Sequence, residues 1–173
     1  MNYQLGPGLP EAELSTWLKQ AAQKYGTFKD GRVNYKNAPT APVVMCTLKH
    51  DDKIFLAKRA QGLADAEGYW STVNGFIDED KPVSQIASQE FREELGLKLS
   101  PKDIKVAPSY RLKSRLEKRE YIIFPCLAVV DHQPKIKLDQ EHTELTWIHR
   151  QDLEKYHILD DLPLAIDKAL SLL

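Results

Sequence analysis

The sequence predicts an α/β domain in which a mixed β-sheet lies between helices. Three observations lead there. β-rich runs at 43–48, 54–58, 104–111, 121–130 and 144–148 alternate with helical periodicity at 83–95 and 163–173. The length, 173 residues, suits one domain with a proper core and is short for two. Hydrophobic residues make up 42% and charged residues 28%, the balance of a globular chain rather than a disordered one.

In chain order, residues 1–10 are rich in Gly and Pro and read as loose. From Pro10 to Tyr25, Leu14, Trp17, Leu18 and Ala21 recur at helical spacing, and Gly26 suits the end. Residues 1–40 are therefore expected to form an extension whose helix packs on the main domain, residues 41–173. Thr27 to Pro42, with Gly31, Pro39 and Pro42, reads as a connector. Val43–Leu48 and Ile54–Lys58 are joined through His50-Asp51-Asp52 as a hairpin, with Arg59 at the second strand's end. Gly62 to Gly68 is loop, and Trp70 to Gly75 leads out of it. Strands 104–111 and 121–130 flank a basic stretch containing Arg111, Lys113, Arg115, Lys118 and Arg119. An acidic loop from Leu138 enters the strand that ends at Ile148. A turn at Asp152–Tyr156 precedes the last helix, whose apolar face carries Leu164, Ala165, Ala169 and Leu170.

The formal net charge of -1 gives no general pull toward nucleic acid or an anionic membrane. The basic stretch lacks the interleaved aromatics of an RNA-binding surface, so nucleic acid is not expected as a partner. No apolar run approaches the roughly 20 residues of a membrane span. The N-terminus lacks the basic start and apolar core of a signal peptide. Cys46 and Cys126 sit in apolar, strand-like surroundings and read as buried free thiols of a cytoplasmic protein.

The informative stretch runs from Gly75 to Leu97. Pro82 suits a first helical turn and Gly96 the left-handed residue after a helix end. On a helical wheel Val83, Ala87, Phe91 and Leu95 form one apolar stripe. Glu94 falls inside that stripe, Glu90 lies beside it and Glu93 a little further round. Carboxylates facing a core are costly unless something positive compensates them, and a divalent cation with its preference for oxygen ligands does so. An ordinary solvated acidic helix end explains neither the position of Glu94 nor the spacing from Gly75.

This stretch resembles the Nudix box, in which Gly, five residues, Glu and seven residues precede Arg-Glu-apolar-x-Glu-Glu-x-Gly-apolar. Gly75, Glu90, Phe91, Glu93, Glu94, Gly96 and Leu97 are in register. Lys81 stands where the box has its isolated Glu, and Gln89 where it has Arg. Val73-Asn74 likewise stands where the family usually has Pro-Gly before the box glycine.

The resemblance implies an α/β/α sandwich and a metal-dependent hydrolase of a nucleoside diphosphate linked to another group. Glu90 and Glu94, helped by Glu93, would hold Mg²⁺ or Mn²⁺, which neutralises phosphate oxygens and acidifies water. Glu141 is the first candidate for general base and Glu144 the second; His142 reads more readily as a surface histidine. Arg59, Gly75 and Lys81 are the candidate contacts to the small-molecule nucleotide substrate. Asp78, Glu79 or Asp80 are candidates to replace the carboxylate missing at Lys81. The family leaves room for a homodimer. A nucleotide-binding module with weak or no catalysis is the alternative reading, and Lys81 with Gln89 supports it. An isopentenyl diphosphate isomerase would need a cysteine soon after the Trp before the box, and Ser71 to Asn74 offers none.

Overall fold

The computed structural model describes residues 5–62, 66–114, 119–159 and 161–173. Edge strand β1 (Leu5–Pro7) precedes helix α1 (Glu11–Tyr25). Strands β2 (Thr40–His50), β3 (Lys53–Arg59), β4 (Trp70–Ser71) and β5 (Val73–Phe76) lead into helix α2 (Val83–Leu95). Then come β6 (Ile104–Val106), β7 (Tyr110–Lys113), β8 (Glu120–Val130), β9 (His142–His149) and helix α3 (Leu162–Leu170). The main path of the sheet runs β1-β7-β8-β2-β3-β4, with β5 on β2, β6 on β8 and β9 on β3. β2 and β8 pair in parallel from Thr40↔Glu120 to His50↔Val130, and the other ladders are antiparallel.

Alternation along β2 divides the core in two. Val44, Cys46 and Leu48 join Leu14, Leu18 and Ala21 of α1 and Val83, Ala87, Phe91 and Leu95 of α2. Met45 instead packs with Ile54, Leu56, Ile123 and Leu162, Ala165 and Ile166 of α3. The sheet therefore lies between helices, as expected of an α/β/α sandwich. Cys46 and Cys126 are free, buried and opposite one another in the parallel ladder. Among the described residues no helix is long and apolar enough to cross a membrane.

Some elements differ from expectation. The run 104–111 divides into β6 and β7, because Pro108 has no N–H for the ladder and the Ala107 N–H turns to Pro125 O. Trp70–Ser71 and Val73–Phe76, to which the sequence assigns no strand, are strands paired with Ala57–Lys58 and Val43–Cys46. Residues 5–7 pair with 110–112 instead of lying loose. Just beyond, Gly8 comes so close to Ser109 that a Cβ would collide with the backbone there. Residues 1–4 of the expected loose segment lie outside the described residues, as do Arg115 and Lys118 of the basic stretch.

Candidate active site

Helix α2 sets the site. Its buried face comprises Val83, Ile86, Ala87, Phe91, Glu94 and Leu95, so one acid is packed among apolar neighbours. Its C-terminus closes on left-handed Gly96, with Gly96 N–H to Arg92 O and Leu97 N–H to Phe91 O. The loop before β9 then docks on that end: Lys137 N–H donates to Leu95 O and Asp139 N–H to Glu94 O, each at 3.0 Å.

Glu90 lies against β5. A Cβ on Gly75 would collide with the Glu90 carboxyl, so only glycine lets the two approach. Glu94 Oε1 accepts from the Asn74 N–H at 3.3 Å. Its other oxygen, Oε2, is buried without a hydrogen-bond partner and faces His142 Nε2, also unpartnered, at 3.7 Å. His142 is buried at 6% exposure rather than a surface residue, and its Nδ1 lies 2.8 Å from Asp139 Oδ1. Asp139, His142 and Glu94 thus form a continuous polar row. Sequence reasoning passed over Asp139; its three-residue spacing from His142 was the available signal.

Burial is the main electrostatic fact. It pushes Glu90 up to about 8, with the charges of Glu93, Asp78 and Glu141 adding and Arg32 opposing. Glu94 is pushed well above the ordinary carboxylate range by burial and then by Glu90, against the Asn74 hydrogen bond. Asp78 is also raised by burial, with Arg32 opposing. A divalent cation removes this repulsion, so the donor set fits one. Among the described residues no three His, Cys, Asp or Glu side chains are already grouped as a ligand cluster. Water and substrate oxygens would have to complete the shell, as Mg²⁺ commonly allows.

The other candidates are spread around this core. Glu93 is exposed, 3.9 Å from Arg92. Glu141 is exposed on the loop before β9, near enough for its charge to reach Glu90 and Glu94. Arg59, at the end of β3, is the register partner of His142. Glu144 is ion-paired with Lys58 at 2.7 Å. Lys81 lies 2.7 Å from Glu79 and donates to Gln89 at 3.1 Å, while Gln89 donates to Glu79 at 3.4 Å. The two departures from the box therefore touch each other. Of the acids before Lys81, Asp78 acts with its charge on Glu90. In the basic stretch, Arg111 pairs with Glu120 and Arg119 donates to Tyr35 O, both at 2.8 Å.

The chain is similar to known proteins in sequence and in fold. A family model described as NUDIX domain matches residues 37–167. Nucleoside triphosphatase NudI of Escherichia fergusonii is 29% identical over 139 residues, covering 75% of this chain and 94% of the relative. The NUDIX domain of Shewanella oneidensis NrtR, solved with ADP ribose, aligns with a TM-score of 0.64 at 18% identity. That alignment covers 77% of this chain and 88% of the other. A bifunctional NMN adenylyltransferase/ADP ribose pyrophosphatase of Francisella tularensis, solved with AMP and a manganese ion, gives 0.63 at 19% identity. It covers 94% of this chain and 47% of that one. With the family model matched over most of its length, the chain belongs to the NUDIX domain family and is a hydrolase of the Nudix type.

Proposed function

We propose that the protein hydrolyses a phosphoanhydride bond in a nucleoside diphosphate linked to another group, using Mg²⁺ or Mn²⁺. The observation that carries this is the pair Glu90, half-buried against Gly75, and Glu94, buried: both carboxyls are held toward the neutral form, and Glu94 has an unpartnered oxygen. Glu90 and Glu94 would hold the cation, with Glu93 at the rim. Bound there, the cation supplies neutralisation of phosphate oxygens and acidification of water. Glu141, exposed beside the pair, takes the proton of the attacking water. The water oxygen bonds to phosphorus, the bridging P–O bond breaks, and the released phosphate oxygen keeps the electron pair. Gly75 lets Glu90 sit against β5, and Arg59 supplies positive charge for substrate phosphate. Lys81 and Glu144, each in an ion pair of its own, are the outer members of the set.

The relatives support this reading by their names, as a nucleoside triphosphatase and an ADP ribose pyrophosphatase that was solved with AMP and manganese. A panel of ADP-ribose, dinucleoside polyphosphates, nucleotide sugars, NADH and nucleoside triphosphates, oxidised and unmodified, tests it with Mg²⁺ and with Mn²⁺. Cleavage of at least one at a phosphoanhydride is expected. Binding without turnover of any would replace this reading with that of a nucleotide-binding module.

A further inference from the structure

The residues before the family match do more than cover the sheet. Helix α2 starts after Pro82 without a side-chain cap of its own. Its first N–H, at Val83, donates at 2.9 Å to Glu11 Oε1 from the first turn of α1. One turn further along α1, Ser15 Oγ donates to Asp80 Oδ2 at 2.8 Å, and after another turn Lys19 Nζ lies 3.8 Å from the same oxygen. Glu11, Ser15 and Lys19 recur every four residues, so one edge of α1 faces the acidic loop.

The segment after α1 grips the loop's other end. Val33 N–H donates to Asp78 O at 2.9 Å, and the buried Tyr35 hydroxyl donates to Ile77 O at 2.6 Å. Arg32 Nη1 lies 3.7 Å from Asp78 Oδ2. Ile77, Asp78, Asp80 and Val83 are thus all held from residues 11–35. These anchors bracket the chain between Gly75, against which Glu90 rests, and the start of the helix that carries Glu90 and Glu94.

We infer that residues 11–35 are a positioning clamp for loop 77–83, which sets how tightly the Glu90–Glu94 site holds a divalent cation. The inference rests on the metal-site reading above. Packing alone would need only the apolar edge of α1, Leu14, Leu18 and Ala21; it does not call for polar contacts at both ends of one loop. Tyr35 and Glu11 are the end anchors, and Arg32 brings positive charge beside Asp78 and toward Glu90.

The test uses full-length, metal-free protein and reads Mn²⁺ binding by electron paramagnetic resonance beside the melting temperature without metal. Tyr35→Phe keeps the ring and removes the hydroxyl donor; Glu11→Ala removes the acceptor for Val83, and Glu11→Gln keeps an acceptor oxygen. Tyr35→Phe and Glu11→Ala are each expected to weaken Mn²⁺ binding about tenfold, in the range seen for residues that orient metal ligands. Glu11→Gln should bind nearly as the wild type does. Lower melting temperatures with unchanged Mn²⁺ affinity would reduce the extension to packing and overturn the clamp alone. A wild type that takes up no Mn²⁺ would overturn the metal-site reading and the clamp with it.

Discussion

A methyl group on Gly75 would occupy the space that the Glu90 carboxyl fills. Gly75→Ala must therefore move either β5 or the carboxylate. A displacement near 1 Å costs roughly 100-fold in a positioned reaction, so turnover is expected to fall by about that factor while the protein still folds. Unaltered kinetics would mean that Glu90 has no positional demand. Glu94 makes a different case, because its Oε1 needs only an acceptor for Asn74 N–H, which an amide oxygen also provides. Glu94→Gln should leave the metal-free fold at least as stable, since burial penalises the charge it removes. The Mg²⁺-induced rise in melting temperature expected of the wild type should be absent. A mutant that responds to Mg²⁺ as wild type does would remove Glu94 from the ligand set. Glu94 was legible in the sequence because a helical wheel reports which face a side chain takes. His142 was not, because its burial depends on where the Asp139 loop docks against the end of α2, a long-range contact that local pattern does not encode.

At the scale of the element, the acidic loop and α2 are tied by the Lys81–Glu79–Gln89 triangle. The cation lies on the loop and the neutral amide on the helix, so Lys81→Glu alone would set a second carboxylate beside Glu79 with no partner. The triangle is partly exposed, so the expected loss is only about 0.5–1 kcal/mol, read as a lower melting temperature. Gln89→Arg in the same chain should recover it, because the guanidinium then meets both acids. Additive losses in the double variant would show that positions 81 and 89 do not interact. The ends of α2 were legible to the residue, from Pro82 and Gly96 with a clear apolar stripe between them. β4 and β5 were not: Trp70-Ser71 is too short for a period, and Asn74 and Gly75 are poor strand formers. Their strand state comes from partners in β3 and β2. The division of 104–111 was in principle visible at Pro108, whose missing N–H cannot serve a continuous ladder.

For the molecule as a whole, the acids Glu90, Glu94 and Asp78, partly or fully withdrawn from solvent, couple folding to pH and to metal. Glu90 has an ordinary value of 4.5 and is raised to about 8 in the fold, chiefly by burial. Below pH 4.5 it is protonated whether the chain is folded or not, and its contribution to stability is fully present. Between about 4.5 and 8 the folded chain keeps a proton that the unfolded chain has released, so stability falls as pH rises through that window. Glu94 and Asp78 are raised in the same direction and add to the slope. Glu79 is lowered from 4.5, chiefly by its hydrogen bond with Lys81, so its effect has the opposite sign but falls below pH 4.5, outside this window. The net loss attributable to Glu90 is on the order of a few kcal/mol. Metal-free protein should therefore melt at a progressively lower temperature from pH 5 to pH 8.5. A cation competes with the proton for the same oxygens, so the stabilisation given by saturating Mg²⁺ should grow over that range. Glu90→Gln removes the titrating group, and its metal-free melting temperature should be flatter with pH than that of wild type. Equal slopes in the two proteins would mean that Glu90 is already ionised in the fold, and the case for a cation relieving its burial would fall with it.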